Sequence, residues 1–270
     1  MNEEVAGARR GKLVVCPTPI GNLEDVTLRV LRVLGSADVV ACEDTRRTRV
    51  LLERHGVRAG ALVSYHEHNE RRRAPELLAR IRGGEVVALV SDAGMPVVSD
   101  PGFLLMRACL EAGEDVEVLP GASAPTVALV ASGLPPARYC FAGFLPRKRG
   151  ERARVLAETP ETLVAFESPA RLSATLDLLA GADPDREVAV CRELTKLHEE
   201  VRRGTAAELA EHFRAHTARG ELVIVVAPAA RRRVRAGDDR ATGDAKADPG
   251  RTAGGAGRGR SVAEDSLQRR

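Results

Sequence analysis

Short apolar runs rich in β-branched residues alternate with segments of helical period from Lys12 to Pro228. In the first half of this region the strand-like runs are LVVC, VVAC, LVSY, VVALV and VEVL, the last of which ends at Pro120. The helical segments between them lie at residues 28–34, 48–55, 74–82 and 102–112. This alternation predicts an α/β domain with a largely parallel sheet.

A second set of elements follows the first. The strand-like runs YCFAGF, TLVAF, EVAVC and ELVIVV alternate with helical segments at residues 150–158, 170–180 and 205–217. Gly and Pro interrupt the pattern between Pro120 and Pro136, where we expect a hinge. The sequence therefore predicts two α/β domains, 12–121 and 122–228, with a cleft of the kind that binds small molecules between them.

The two ends of the chain differ from this body. After Pro228 the composition changes to Arg, Gly, Ala and Asp with almost no large apolar residue, so residues 229–270 are predicted to be a disordered basic tail, and residues 1–11 a flexible N-terminus. The tail carries a net charge of +5, which leaves −2 on the other 228 residues. A nearly neutral body disfavours binding to nucleic acid by overall charge, so such contacts must be local.

Composition also bears on the compartment and on membrane contact. The five cysteines are widely spaced and form no CxxC pair, which favours buried thiols in a reducing compartment. No apolar stretch reaches the ~20 residues that span a bilayer, and no signal-like segment follows Met1. We therefore expect a cytoplasmic protein without a membrane partner. With five Phe, two Tyr and no Trp, any stacking on bases depends on very few side chains.

Polar and small residues gather directly after the predicted strands. Because ligands of α/β sheets bind at the carboxyl ends of the strands, these loops are the candidate binding segments. Helix capping by Asp25, a tight turn at 91–102 or a small-residue hinge at 120–126 would produce similar sequences. The segments are Pro17–Arg29 (PTPIGNLEDVTLR), Ser91–Gly102 (SDAGMPVVSDPG), Pro120–Thr126 (PGASAPT), Phe166–Arg171 (FESPAR) and Cys191–Gly204 (CRELTKLHEEVRRG).

Three further segments are strongly charged, at residues 41–54, 65–73 and 145–154. Their arginines and lysines suit RNA phosphates, although a solvated helix surface often has the same composition. A metal site at His66-Glu67-His68 is disfavoured, because alternate residues of a strand point to opposite faces and no third ligand is evident. No metal is expected.

Taken in order, these segments resemble the ribosomal RNA small-subunit methyltransferase I family of the tetrapyrrole-methylase superfamily. The resemblance runs from about Lys12 to Pro228. It implies a two-domain α/β homodimer that binds S-adenosylmethionine in the interdomain cleft and methylates a cytidine 2′-hydroxyl in the decoding region of 16S rRNA, within the small ribosomal subunit. The motifs that carry it are PTPIGNLEDVTLR, CEDTRRTRVLL, SYHEHNE, VALVSDAGMPVVSDPG, LPGASA, GFLPRKRGER, FESPARL and RELTKLHEEVRRGT.

The resemblance also implies which residues form the site. The expected cofactor contacts are Pro17, Gly21, Asn22, Asp92, Ala93, Gly94, Pro96, Ser123, Ala124, Phe166 and Glu167. The candidates for the proton acceptor or a helpful cation are Glu43, His66, Glu67 and Lys196, among which the sequence does not choose. The expected phosphate contacts are Arg46, Arg47, Arg147 and Lys148.

Two other functions remain open at this point. A methylase of a small tetrapyrrole would share the fold and the cofactor, although the basic clusters disfavour it. A non-enzymatic ribosome-binding factor would use the arginines but would have no need of a cofactor cleft. Binding of S-adenosylmethionine and the identity of the methyl acceptor distinguish the three.

Overall fold

The computed structural model describes residues 10–229. Most of the N-terminus predicted at 1–11 and of the tail predicted at 229–270 lies outside the described residues. Those two predictions therefore stay predictions.

The first sheet has five strands in the order β3-β2-β4-β1-β5. Every pair of neighbours is parallel, as the sequence predicts. Its strands are β1 (Lys12–Val15), β2 (Val39–Cys42), β3 (Ala61–Ser64), β4 (Val86–Val90) and β5 (Asp115–Val118). The crossover helices are α1 (Leu28–Ser36), α2 (Thr45–Arg54), α3 (Glu70–Arg82) and α4 (Phe103–Glu111). Strands β2 and β4 are continuously apolar because both faces of a parallel sheet are covered by helices.

Polar caps explain where the helices begin. The Thr27 side chain accepts a hydrogen bond from the backbone of Val30 at the start of α1, and Asp44 accepts one from Arg46 at the start of α2. The sequence prediction placed α2 at 48–55, three residues late, because its first turn, Thr-Arg-Arg, is exposed or only partly buried and carries no apolar signal. Cap position, rather than apolar period, therefore sets the start of α2.

The second sheet is mixed, with the order β6-β7-β10-β8-β9. Only β6 and β7 are parallel; the other pairs are antiparallel. The strands are β6 (Tyr139–Phe144), β7 (Thr162–Glu167), β8 (Glu187–Arg192), β9 (Glu200–Thr205) and β10 (Leu222–Val226). The helices are α5 (Ala124–Ser132), α6 (Arg149–Glu158), α7 (Pro169–Ala182) and α8 (Ala206–Ala215).

Two sequence predictions for the second half were wrong. Strand β9 was assigned to a strand-end loop, because EVRRGT is too polar for an interior strand; it forms the sheet edge, where charged residues are common. Phe166 and Glu167 belong to β7 itself and not to a loop that follows it. In both places the strand pairing overrides a weak local signal.

The loop after β1 joins the two sheets. Ile20, which is 6% exposed, belongs to the same apolar cluster as Leu129 of α5, Val164 of β7 and Val223 of β10. Helix α5 occupies the region that the sequence predicts as a hinge, and it packs on the second sheet. The predicted domain boundary at 121/122 falls in the loop before α5 and stays a prediction. A binding cleft beside Ile20 thus has walls from both sheets.

All five cysteines are free thiols, and four of them are buried; Cys140 is exposed. Among helices of residues 10–229, none combines the length and the apolar character that crossing a bilayer requires.

Candidate functional site

The loops after β1 and β4 are joined into one wall at the carboxyl edge of the first sheet. The backbone N–H of Thr18 donates to the carbonyl of Gly94 (2.9 Å), and the N–H of Gly94 donates to the carbonyl of Thr18 (3.0 Å). The Thr18 hydroxyl also donates to the carbonyl of Ser91 (3.0 Å). Two of the predicted binding segments therefore act as a single structure.

A loop from the second sheet closes on this wall. The N–H of Asn22 donates to Oγ1 of Thr195 over 3.0 Å. A Cβ added to Gly21 would lie 2.5 Å from Cγ of Lys196 and 2.8 Å from the carbonyl oxygen of Leu194. Only glycine permits this approach, so Gly21 sets the distance between the two loops.

Two adjoining cavities lie along this contact. The apolar cavity, of about 340 Å³, is lined by Ala124, Phe144, Phe166, Leu194 and Val223 together with the carboxylates of Asp100 and Glu221. The other cavity, of about 260 Å³, is called the polar cavity because Arg47, Asp92 and Lys196 line it. Its wall also includes Thr18 and Gly21 and the apolar side chains of Leu23, Val50 and Leu51. Ile20, Ala93 and Glu221 line both cavities. A ligand in one cavity would therefore lie next to a ligand in the other.

Carboxyl groups accumulate where the cavities meet, and their pKa values respond. Burial raises the pKa of Asp100 to about 6; the hydrogen bond to Ser91 opposes the rise, and the charges of Glu43, Asp92 and Glu221 add to it. Burial, followed by the charge of Asp92, also raises the pKa of Glu43. A positive charge placed here would relieve the mutual repulsion, so the site favours a cationic ligand.

Lys196 is held at the boundary of the cavities by two carboxylates. Its ammonium group donates to Glu193 and to Glu221, each over 2.9 Å. Burial lowers the pKa of Lys196, but these hydrogen bonds outweigh burial and raise the pKa above its usual range. Lys196 therefore stays protonated at neutral pH and supplies a cation instead of a proton acceptor.

Asp92 connects the loop after β4 to the start of α2. Its carboxylate accepts a hydrogen bond from the N–H of Asp44 (2.9 Å) and lies 3.5 Å from Nε of Arg47. Arg47 is thereby directed to the rim of the polar cavity. Arg46 is instead paired with Asp44 through its guanidinium group.

Glu167 has a different role from the other acidic residues of the cleft. It is 2% exposed, and its carboxylate accepts hydrogen bonds from the Ser168 N–H (2.8 Å) and the Thr175 hydroxyl (2.6 Å) and pairs with Arg171 (2.6 Å). These internal partners satisfy the carboxylate, so Glu167 fixes the cavity wall rather than offering its charge to a ligand.

Backbone strain is concentrated in the two loops that border the cavities. Val97 and Ser99 in the loop after β4, and Glu193 and Thr195 in the loop after β8, all have positive φ although none is glycine. Such conformations cost roughly 1–3 kcal/mol each and persist where the surrounding contacts impose them. These four residues lie in the loops after β4 and β8, which also form the hydrogen bonds to the loop after β1.

The structure brings many of the predicted site residues together. Gly21, Arg47, Asp92 and Lys196 line the polar cavity, Ala124, Phe166 and Glu167 line the apolar one, and Ala93 lines both. The other predicted residues lie behind or beside these walls: Pro17, Asn22, Gly94, Pro96 and Ser123 in the bordering loops, Glu43, Arg46, His66 and Glu67 after β2 and β3, and Arg147 and Lys148 before α6.

Several residues of the site were not predicted as site residues, among them Ile20, Asp100, Thr195 and Glu221. Asp100 stands in a segment that the sequence analysis singled out, and two acidic turns in one loop were the available signal. Glu221 had a weaker signal, since a single carboxylate before a strand is common. Its role depends on contacts with Lys196 and Glu193 that only the folded chain creates.

The comparisons with known proteins agree with this geometry. The tetrapyrrole (corrin/porphyrin) methylase family profile matches residues 12–210. A Mesorhizobium japonicum protein named ribosomal RNA small subunit methyltransferase I is 50% identical over 222 residues, which cover 80% of this chain and 75% of that protein. The chain belongs to this methyltransferase I family.

Solved tetrapyrrole-methylase structures share the fold of this methyltransferase I family member. Uroporphyrin-III-C-methyltransferase from Thermus thermophilus aligns with a TM-score of 0.59 at 25% identity, over 80% of this chain and 94% of that one. Another structure of the Thermus enzyme, complexed with S-adenyl homocysteine, aligns with a TM-score of 0.55 at 24% identity, over 80% and 97% of the two chains.

S-adenosylmethionine is the methyl donor of this methyltransferase I family, and the cleft fits it chemically. The apolar cavity has the volume and the mainly apolar lining of small-molecule sites. Phe166 and Val223 are apolar side chains of the kind that pack on a purine, and Asp100 and Glu221 are carboxylates of the kind that attract a sulfonium cation. The residues that are present therefore suit both the flat and the charged part of the donor.

Proposed function

We propose that this chain transfers a methyl group from S-adenosylmethionine to the 2′-hydroxyl of a cytidine in the decoding region of 16S rRNA. The observation that carries the proposal is the 50% identity over 222 residues to a protein named ribosomal RNA small subunit methyltransferase I. The adjoining cavities support it, since methyl transfer requires donor and acceptor side by side.

The donor is assigned to the apolar cavity. Ala93, Ala124 and Phe166 form its wall, and the carboxylates of Asp100 and Glu221 lie toward the positive sulfur. Pro17, Asn22, Gly94, Pro96 and Ser123 shape the loops behind this wall, and Glu167 fixes it from inside. The cofactor supplies a methyl group already activated on a sulfonium, so the protein's own task is to align the acceptor oxygen and to remove its proton.

The acceptor ribose is assigned to the polar cavity, next to Ala93 and Glu221. Among the candidate bases, Glu43 suits proton removal best, because burial and Asp92 raise the pKa of its carboxyl and because it contacts the backbone of Asp92 on the cavity wall. Lys196, which stays protonated, stabilises negative charge on the oxygen as the proton leaves. Glu67 lies near enough to Glu43 for its charge to help raise the pKa of the Glu43 carboxyl, and His66 precedes Glu67 in the same loop.

The RNA contacts follow from exposed cations near the cleft. Arg47 lies on the rim of the polar cavity, and Arg147 and Lys148 directly precede α6, three and four residues after Phe144 of the apolar cavity. Arg46 is held by Asp44 and contributes a second, more distant charge. A near-neutral body with such local clusters suits recognition of RNA shape, and hence the assembled small subunit in the cytoplasm.

The exposed apolar residues Phe103, Leu104 and Leu110 on α4 offer a surface for the homodimer.

A comparison of methyl acceptors tests the proposal. The purified chain is incubated with labelled S-adenosylmethionine and, separately, with unmodified small subunits, naked 16S rRNA and a uroporphyrinoid. We expect label in the RNA of the subunit reaction and none in the tetrapyrrole. Label in the tetrapyrrole alone would make the chain a small-molecule methylase. A chain that fails to bind the donor in calorimetry would be a ribosome-binding factor instead.

A further inference from the structure

Strand β6 contains an irregularity next to the apolar cavity. Phe141 pairs with Val164 and Phe144 with Phe166, so β6 has one more residue than β7 between the two pairs. Gly143 takes up the difference with a φ of 63°. Bulges of this kind redirect a side chain, and they are frequent beside active sites. Here the redirected side chain is Phe144.

The ring of Phe144 is supported on one side and open on the other. Its centroid lies 5.2 Å from that of Phe166, and Phe166 lies 5.2 Å from Phe141 on its other side. Phe144 is nevertheless 63% exposed. The chain has only five Phe, and three of them form this group, with the outermost ring exposed to solvent.

Three exposed cations follow this ring directly: Arg147, Lys148 and Arg149. Since three residues of chain span at most ~11 Å, Arg147 begins within a nucleotide's reach of the ring. The connecting residues, Leu145 and Pro146, are fixed by two hydrogen bonds. Arg171 donates to the carbonyl of Leu145 (3.0 Å), and Arg152 donates to the carbonyl of Pro146 (3.3 Å). The ring and the cations are thus presented on a fixed segment.

Arg152 is a buried arginine that supports this segment. It is 5% exposed, although it stands in a run that reads as a solvated basic helix, and its guanidinium contacts backbone carbonyls instead of solvent. Burying a guanidinium is costly unless it forms such bonds. The structure therefore uses one arginine to hold the loop that exposes the others.

We propose that Phe144 is a stacking platform for an unpaired base of the rRNA acceptor, with the adjoining phosphates on Arg147 and Arg149. Aromatic rings beside positive charge are the combination by which proteins hold single-stranded nucleic acid. A protein partner would match the ring but would not explain the exposed Arg147 and Arg149; Lys148, by contrast, pairs with Glu151 over 3.1 Å. The inference rests on the proposed function and names how that acceptor is held.

Kinetic comparison of Phe144→Leu, Phe144→Trp and Tyr139→Leu tests the platform. Tyr139 is the matched control, since it is an aromatic residue of the same strand, is 44% exposed and lines neither cavity. Loss of stacking on one base is expected to raise the KM for small subunits by about 5- to 150-fold. The Kd for S-adenosylmethionine should stay within about twofold of wild type, because leucine keeps an apolar side chain at this position of the cavity lining. Phe144→Trp keeps a stacking surface and should restore the KM, and Tyr139→Leu should behave as wild type.

Salt dependence separates stacking from charge. Arg147→Gln should lower the slope of log affinity against log salt by about one, whereas Phe144→Leu should leave that slope unchanged. An unchanged KM for Phe144→Leu would overturn the platform. A loss of donor affinity larger than the change in KM would also overturn it, because the ring would then serve the donor cavity that it lines and not the RNA. If wild type neither binds nor methylates subunits, the proposed function fails together with this inference; if wild type is active and only the KM prediction fails, the proposed function stands.

Discussion

At the scale of single residues, Asp100 couples donor binding to pH. Burial and the neighbouring carboxylates raise its pKa to about 6, so Asp100 changes from neutral to charged between about pH 5 and pH 7. Only the charged form attracts a sulfonium. The affinity for S-adenosylmethionine, measured by calorimetry, should therefore rise with pH across this window by up to roughly tenfold, the equivalent of one pKa unit.

Two controls accompany that measurement. S-adenosylhomocysteine has a neutral sulfur and should show a smaller rise, and Asp100→Asn should bind the donor with little dependence on pH. The raised pKa also has a cost in the ligand-free chain, because the folded state holds this proton more tightly than the unfolded state. The contribution of Asp100 to the free energy of unfolding is therefore lost as pH rises to about 6, where the buried carboxyl ionises. Asp100→Asn removes this ionisation and should raise the Tm above that pH. An equal pH effect on both ligands would contradict the assignment.

Glu43 is expected to act on the proton of the acceptor and not on the donor. Glu43→Gln removes the proton acceptor while keeping the shape of the side chain. The rate of methyl transfer under single-turnover conditions should fall by about 10²- to 10⁴-fold. The Kd for S-adenosylmethionine should stay as in wild type, since Glu43 does not line the apolar cavity. A rate within threefold or so of wild type would exclude Glu43 as the base.

At the scale of elements, the cleft depends on the close approach of the loops after β1 and β8. In Gly21→Ala the new Cβ would overlap Lys196 and the backbone of Leu194, and the loops would have to separate. We expect a loss of about 1–3 kcal/mol in the free energy of unfolding and at least tenfold weaker donor binding. Chemical denaturation and calorimetry measure the two effects.

Gly181→Ala is the matched control for that change. Gly181 lies inside α7, and a Cβ there would meet nothing within 4 Å. Because alanine favours a helix over glycine by roughly 0.5–1 kcal/mol, this variant should be slightly more stable and fully active. If Gly21→Ala behaved like Gly181→Ala, the approach of the loops would not control the cleft.

Elements also show what the sequence could predict. The parallel sheet was predictable, because β2 and β4 are buried on both faces and consist of apolar residues without interruption. The loops at 17–29 and 91–102 were predictable because they follow the apolar strands β1 and β4. Strand β9 was not, because an edge strand pairs on one side only and keeps a polar sequence.

The parts of the site that escaped prediction depend on contacts distant in the chain. Lys196 and Glu221 are 25 residues apart, and their ion pair decides that Lys196 is a cation rather than a base. Asp100 owes its pKa to burial, to Asp92 of its own loop, and to Glu43 and Glu221 from two other loops. No local pattern records such proximity, so the sequence locates the loops but not the charge state of their side chains.

At the scale of the whole molecule, both sheets contribute to the two cavities. The first sheet contributes the loops that carry Thr18, Asp92 and Asp100, and the second contributes Phe166, Lys196 and Glu221. Ile20 packs in the core of the second sheet while its own loop belongs to the first. The cleft proposed for donor and acceptor therefore lies between elements that are fixed relative to one another at this contact.

The position of the transferred methyl group tests the central claim most directly. Purified chain, labelled S-adenosylmethionine and small subunits that lack the modification are incubated together, and the RNA is mapped with nucleases. The account predicts label on the 2′-oxygen of one decoding-region cytidine of 16S rRNA. Label on a base or on another nucleotide, or no transfer to subunits or naked rRNA by a chain that binds the donor, would contradict it.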